Sequence, residues 1–92
     1  MDNMLSTIGL AYRAKKIVLG EEVLNQINDV KLMIIVTDIS QSSLNRFIKK
    51  CDYYNIPYIQ KYSCEQLSNA LGKTTIKVIG IIDEGFKKIL LK

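Results

Sequence analysis

The 92-residue chain has a length that fits one domain, so residues 1–92 are treated as a single folding unit. Its composition, 48% hydrophobic and 24% charged, is that of an ordinary soluble globular protein. No apolar run approaches the roughly 20 residues of a membrane span, and no signal-peptide segment follows Met1. A net charge of +4 permits a polyanionic partner without requiring one. We therefore expect a cytoplasmic protein without a membrane partner.

The first half of the chain is predicted to fold as helix, strand, helix and strand. Apolar residues from Leu5 to Tyr12 have the spacing of one helix face. A short strand at residues 17–19 ends at Gly20, where a second helical stretch begins. Its apolar periodicity ends near residues 28–29. The continuous apolar run at residues 32–36 predicts a strand that helices cover on both faces.

The second half continues this alternation and adds a final helix. A helix with inward-facing apolar residues follows at residues 44–51, and a short strand containing a proline at residues 56–59. Ser63 and Gln66 have the spacing of a capping box, which begins the next helix. A strongly apolar strand at residues 75–82 precedes a helix that Asp83 caps. The order predicts a three-layer α/β/α sandwich around a mixed or mostly parallel sheet of four strands.

The junction between the first strand and the second helix is the most informative segment for function. Basic residues precede the strand, and a helix that begins after Gly20 presents unpaired backbone N–H groups. Such groups attract anions and contact nucleic acids, which predicts an RNA-contacting edge. Arg13, Lys15 and Lys16 would contact phosphates there, or else form a solvated helix end. Glu21 and Glu22 either suit the helix dipole or accept a hydrogen bond from a base amino group.

Other polar features have two interpretations each. Lys73 and Thr74 form either a plain connection or a loop that clamps RNA. The basic residues of the third helix are expected to form a solvated outer face; they are Arg46, Lys49 and Lys50. Four tyrosines are expected to cover the sheet edge with their hydroxyls in solvent; the alternative is that they stack on bases. They are Tyr53, Tyr54, Tyr58 and Tyr62.

The sequence offers little for catalysis. It has no histidine to act as a general base and no glycine-rich phosphate motif. The spacing of Cys51 and Cys64 matches no metal site, so both are expected to be reduced and to pack as small apolar side chains. We therefore expect no enzymatic activity, no cofactor and no metal.

Seven segments carry a resemblance to a known family. They are residues 10–14, 16–18, 20–22, 37–40, 51–57, 71–73 and 83–86. In order and spacing they resemble the bacterial YlxQ-type proteins of the L7Ae/L30e ribosomal-protein superfamily, over nearly the whole chain. The resemblance implies an L30e-like α/β/α sandwich and non-catalytic binding of structured RNA, such as ribosomal or kink-turn RNA. It also implies a ribonucleoprotein setting, with ribosomal or translation-associated proteins as further partners.

The resemblance also implies which residues contact RNA. In the family, the strand–helix junction inserts into the kinked RNA, and the loop matching residues 71–73 packs against a flipped nucleotide. The complete set of candidate RNA contacts, from the residues and from the resemblance, is Arg13, Lys15, Lys16, Gly20, Glu21, Glu22, Asn25, Thr37, Asp38, Gly72, Lys73 and Thr74.

Three positions depart from the pattern of this family. Glu22 stands where kink-turn readers have Asn or Lys, and Val23 stands where they have Glu or Gln. Lys15 replaces a glycine. Because valine accepts no hydrogen bond from a base, the alternative function is a protein–protein interaction module on the same fold, with RNA binding lost or secondary.

Overall fold

Five α-helices and four β-strands alternate along residues 3–91, the part of the chain that the computed structural model describes. Met1, Asp2 and Lys92 lie outside the described residues. In chain order the elements are α1 (Asn3–Arg13), β1 (Ile17–Leu19), α2 (Glu22–Asn25), β2 (Leu32–Ile35), α3 (Gln41–Tyr54), β3 (Tyr58–Ile59), α4 (Cys64–Leu71), β4 (Val78–Ile81) and α5 (Glu84–Leu90), with a 3₁₀ helix at Ile27–Asp29 after α2. The predicted order of helices and strands is confirmed.

The four strands form one mixed sheet in the order β1-β4-β2-β3. Strand β4 is antiparallel to both β1 and β2, whereas β3 is parallel to β2. Leu19 lies opposite Ile79 and Ile35 lies opposite Val78, so β1 and β2 end beside the start of β4. This register brings the end of β1, the end of β2 and the start of β4 together at one end of the sheet.

Helices cover both faces of the sheet, which confirms the predicted three layers. Helices α1, α4 and α5 share one apolar core with Leu32 and Ile34 of β2. Helices α2 and α3 share a second core with Met33 and Ile35. All four β2 side chains are fully buried, because successive strand residues point to opposite faces and each face has a helical cover.

The capping residues fix where the helices begin and end. Ser63 and Gln66 form the predicted capping box of α4, and Gly72 ends that helix in the left-handed conformation at φ +67°. Ser40 caps α3 and Asp83 caps α5, each by accepting a backbone N–H with its side chain. These short polar side chains satisfy N–H groups that a helix start leaves unpaired.

Three strands are shorter than the sequence predicts, β2 by only one residue because it ends at Ile35. Strand β4 begins at Val78 rather than at Thr75, because Thr75 has φ +48° and this left-handed conformation is incompatible with an extended strand. Strand β3 contains only Tyr58–Ile59, and the preceding Pro57 contributes just a carbonyl, which accepts a hydrogen bond from the Met33 N–H at 3.0 Å.

The two cysteines are free, and only one is fully buried. Cys51 lies 3.5 Å, sulfur to sulfur, from Met33 in the core between α3 and the sheet. Burial, together with the charge of Asp52, raises the pKa of the Cys51 thiol to about 11. The expected apolar role is thus confirmed for Cys51, whereas Cys64 is only half-buried.

No helix within residues 3–91 has the length and apolar character needed to cross a bilayer.

Lys15 ends α1 in a conformation that glycine adopts more readily. Its φ is +61°. Its N–H donates to the Tyr12 carbonyl at 3.0 Å, and the Lys16 N–H donates to the Ala11 carbonyl at 2.9 Å. This pair of hydrogen bonds is a Schellman motif, with Lys15 at the position that glycine usually occupies. The family's glycine at this position therefore has a conformational explanation, and this chain carries a strained lysine instead.

We expect Lys15→Gly to stabilise the protein by about 1 kcal/mol, since glycine adopts a positive φ without steric cost. Part of that gain is lost because glycine is more flexible in the unfolded chain. Lys16→Gly is the matched control: Lys16 is not among the positive-φ residues of the described chain, so this change should lower stability slightly. Urea unfolding measures both effects, and an unchanged or lower free energy of unfolding for Lys15→Gly would contradict the expectation.

Candidate nucleic-acid interface

Backbone hydrogen bonds gather the predicted junction and the predicted turn at one end of the sheet. The Gly20 N–H donates to the Val78 carbonyl at 3.1 Å, and the Val36 N–H donates to the Lys77 carbonyl at 3.0 Å. The Thr37 N–H donates to the Tyr62 carbonyl at 2.8 Å. The end of β1, the residues after β2 and β3, and the residues before β4 therefore meet along a single rim.

An open cavity of about 360 Å³ lies at this rim. We call it the rim cavity, and it is lined by Leu19, Gly20, Glu21, Ile39, Ser40, Ser43, Arg46, Phe47, Thr75, Ile76, Lys77 and Val78. Apolar side chains supply much of its lining, whereas hydroxyls, two cations and one carboxylate supply the polar part. Such a combination, with an apolar surface and a few polar groups, is typical of ligand sites.

Gly20 turns the chain from β1 into α2 at the mouth of the rim cavity. Its φ is +56°, and a Cβ added there would meet no atom within 4 Å. Its carbonyl accepts the Val23 N–H at 3.0 Å, while Glu21 occupies the N-cap position without capping the helix through its side chain. The Leu24 N–H likewise donates to the Glu21 carbonyl at 3.1 Å, so these first-turn N–H groups are paired, contrary to the expectation of unpaired donors after Gly20.

Glu21 forms an ion pair that the sequence did not reveal. Its carboxylate oxygen lies 3.2 Å from the guanidinium of Arg46 on α3, and the two side chains are 75% and 50% exposed. The guanidinium carbon of Arg46 lies 5.1 Å from the centre of the Phe47 ring. Such an exposed ion pair contributes at most about 1 kcal/mol to stability. Its main consequence is electrostatic: the carboxylate at the cavity mouth has a cation beside it.

Glu22 and Val23 are both engaged within α2 and the core. The Glu22 carboxylate accepts from Asn25 Nδ2 at 3.1 Å and from Gln26 Nε2 at 3.4 Å. The Val23 side chain is fully buried. Candidate contacts Glu22 and Asn25 thus lie beside the rim cavity on α2 without lining it, and they bind each other.

The turn after β2 serves to anchor α4. Asp38 Oδ1 accepts the Cys64 N–H, the first of that helix, at 2.9 Å. Thr37 and Asp38 are both exposed, and they lie at the same end of the sheet as Gly20. Neither lines the rim cavity, which begins one residue further along at Ile39.

The predicted loop at residues 72–74 is held against helices rather than over the rim cavity. The Lys73 N–H donates to the Ser68 carbonyl at 2.9 Å, and Lys73 Nζ lies 5.6 Å from the centre of the Tyr12 ring on α1. Ser68 Oγ accepts the Ile76 N–H at 2.9 Å. Ser68 therefore fixes both ends of this loop, and the residues that follow it, 75–78, form one wall of the rim cavity.

The first basic cluster lies at the opposite end of β1 from Gly20. The Lys16 carbonyl accepts the Ile82 N–H, at the end of β4, whereas Gly20 pairs with the start of β4. About four strand residues, or roughly 13 Å, separate these two ends. The expectation that Arg13, Lys15 and Lys16 adjoin the helix start at Gly20 is therefore wrong in position. Their contact with RNA stays a prediction.

Most residues that line the rim cavity were not predicted from the sequence. Of the twelve candidate contacts only Gly20 and Glu21 line it, and Arg46 was expected on a solvated face. One signal was present: Ser40, Ser43 and Phe47 have the i, i+3, i+7 spacing of one helix face, directly after the turn at residues 37–38. The left-handed conformation of Thr75, which bends the opposite wall, has no comparable signal.

Comparisons with known proteins first define the class of fold. The Giardia lamblia 15.5kD RNA binding protein has the same fold, with a TM-score of 0.78, 20% identity, and coverage of 96% of this chain and 78% of that one. A Bacillus halodurans protein, described as having unknown function, gives a TM-score of 0.92 with 34% identity, covering 99% and 95% of the two chains. This class is the L30e-like α/β/α sandwich.

Sequence relatives and a family model then identify the family. The RNA-binding proteins YlxQ of Bacillus subtilis (strain 168) and Enterococcus faecium are each 34% identical to this chain. The matches cover 91% of this chain in both cases, and 87% and 84% of the relatives. The model of the ribosomal protein L7Ae/L30e/S12e/Gadd45 family matches residues 2–91, and the chain belongs to this family. The expected family is confirmed.

Proposed function

We propose that this protein binds structured RNA at the rim cavity, without catalysis, as part of a cytoplasmic ribonucleoprotein. Ribosomal RNA and kink-turn RNA are the proposed ligands. One observation carries the proposal: the first two residues of the segment 20–23, which matches the RNA-reading segment of the family, line an apolar cavity that also has Arg46 and Lys77 in its lining. The names of the two YlxQ relatives support the same partner.

In this proposal each part of the rim cavity meets a different part of the RNA. Arg46 and Lys77 bind phosphates, since cationic side chains supply most of the affinity for nucleic acid. An unstacked base packs on the half-buried apolar side chains of the lining, Ile39 and Ile76, as bases do on apolar surfaces. The backbone at Gly20 admits close approach of the RNA because it has no side chain there.

Lys77→Ala tests this location against the rest of the surface. We expect it to weaken binding to a labelled kink-turn RNA and to reduce the slope of log affinity against log salt by about 1, the effect of one lost phosphate contact. Lys31→Ala is the matched control, because Lys31 is also exposed but lies at the other end of the sheet, where its N–H pairs with Ile81. Fluorescence anisotropy at two salt concentrations measures both quantities.

Two further comparisons make the result of this titration decisive. An unkinked duplex of equal length, titrated in parallel, separates kink-turn recognition from general binding of structured RNA. Lys16→Ala separates the two ends of the sheet: an effect there, with none for Lys77→Ala, would move the interface to the first basic cluster. If all variants retain the wild-type affinity and slope, the rim cavity is not an RNA site.

A second candidate function is a protein–protein interaction module on the same fold. Its specific support is at the second and third residues after Gly20, where Glu22 is bound by Asn25 and Gln26 and the Val23 side chain is buried. Neither side chain is free to pair with a base. Absence of binding to every RNA in the titration, for a protein with an intact fold, would favour this candidate.

A further inference from the structure

The outward face of α3 carries a row of cations that ends in an exposed aromatic ring. A shallow groove of about 760 Å³ runs along it, lined by Ser42, Asn45, Arg46, Lys49, Lys50, Tyr53 and Tyr54. We call these residues the α3 face. Arg46, Lys49, Lys50 and Tyr53 recur every three or four residues, so they form one stripe along the helix. Tyr53 is 77% exposed, more than any other large hydrophobic side chain among those found exposed in residues 3–91.

In the described part of the chain, two of the three cations on the α3 face have no acidic partner. Within residues 3–91 the ion pairs are Arg46 with Glu21 and Lys87 with Glu84, so neither Lys49 nor Lys50 has a carboxylate partner within 4.0 Å. Both lysines are exposed. Two exposed ammonium groups without acidic partners add to the positive potential of this surface, and such potential attracts a polyanion.

The α3 face is continuous with the rim cavity. Arg46 lines both, with its guanidinium at the junction between them, and Lys49 and Tyr53 lie one and two helical turns further along. A nucleic acid that enters the rim cavity beside Arg46 therefore meets Lys49 and Lys50 if its backbone continues in the direction of α3. The orientation of α3 fixes the direction in which a bound RNA would extend.

We propose that the α3 face binds the phosphate backbone of the helical arm that flanks the RNA segment held in the rim cavity. The inference rests on the proposed function and adds to it a second contact surface and an orientation. Lys49 and Lys50 contact phosphates as point charges, and the Tyr53 hydroxyl donates a hydrogen bond to a phosphate or sugar oxygen. Recognition on this face is by backbone and shape, because side chains do not reach the base edges of the deep, narrow major groove of an A-form helix.

The test uses one RNA in two lengths. The probe is the kink-turn RNA of the first titration, prepared with short helical arms and with arms extended by one helical turn. For the long probe we expect the double variant Lys49→Ala/Lys50→Ala to lose affinity about tenfold and to reduce the salt slope by about 2, one unit per lost phosphate contact. For the short probe we expect the double variant and the wild-type protein to bind with equal affinity.

A charge-matched control and the cavity variant separate the two proposals. Lys31→Ala/Lys88→Ala removes the same charge from two exposed residues away from α3 and should leave the affinity for both probes near the wild-type value. If Lys77→Ala weakens binding while the α3 double variant affects neither probe, the α3 face is not a contact surface and the proposed function stands. Equal losses for both probes would also overturn the proposal, since they indicate a general charge effect. Wild-type affinity for both probes in all variants would overturn both.

Discussion

Arg46→Glu is expected to reduce the affinity for structured RNA about 100-fold at low salt, or close to 3 kcal/mol. The change removes the proposed charge-assisted hydrogen bond to phosphate, worth about 1.5–3 kcal/mol, and places a second carboxylate beside Glu21 at the mouth of the rim cavity. Arg46 also lines the α3 face, so its loss affects both proposed contact surfaces. Anisotropy titration measures the affinity, and thermal unfolding checks that the fold is intact.

Exchanging the two charges provides the internal control for that result. Glu21→Arg/Arg46→Glu restores an ion pair across the same 3.2 Å contact and restores the net charge of the rim. Because the exposed pair contributes little to stability, both variants should melt close to the wild-type temperature. We expect the exchange to recover much of the affinity that Arg46→Glu loses. Wild-type affinity for the single variant would show that RNA does not contact this part of the molecule.

Local patterns in the sequence were sufficient to predict the fold. The continuous apolar run at residues 32–36 predicted a strand covered on both faces, and β2 lies fully buried between two helical layers. The capping box at Ser63 and the stop at Gly72 fixed α4 because both are short-range chemistry. The register between β1 and β4 joins residues about 60 positions apart, and only the structure revealed it.

The site was harder to predict because its decisive contacts join distant residues. Glu21 and Arg46 are 25 residues apart, so the sequence showed an unexplained acid and a solvated base rather than an ion pair. Thr75 adopts a positive φ that a β-branched residue disfavours, so strand propensity placed the start of β4 three residues too early. Asp38 accepts the first N–H of α4, from Cys64, which lies 26 residues away. From the sequence alone this carboxylate looks like a binding residue, because the helix start it contacts is distant in the chain.

Phe47 links the stability of the fold to the shape of the proposed site. Its side chain is 3% exposed and belongs to the core that α2 and α3 share with the sheet. The same side chain lines the rim cavity and lies beneath the guanidinium of Arg46. A residue with both roles cannot be changed for binding alone, so a size series at this position separates the two contributions.

We expect Phe47→Ala to destabilise the protein by about 3–5 kcal/mol, since it removes a buried aromatic ring and leaves a cavity. For a domain of this size that loss lowers the melting temperature by roughly 15 °C or more. Phe47→Leu keeps most of the volume and should cost about 1.5 kcal/mol or less, yet it removes the ring that supports the Arg46 guanidinium at the rim cavity. Calorimetry and RNA titration of both variants give the separation. Phe47→Leu should bind RNA several-fold more weakly than the wild-type protein while remaining folded, and unchanged affinity would mean that RNA binding does not depend on the ring beneath Arg46.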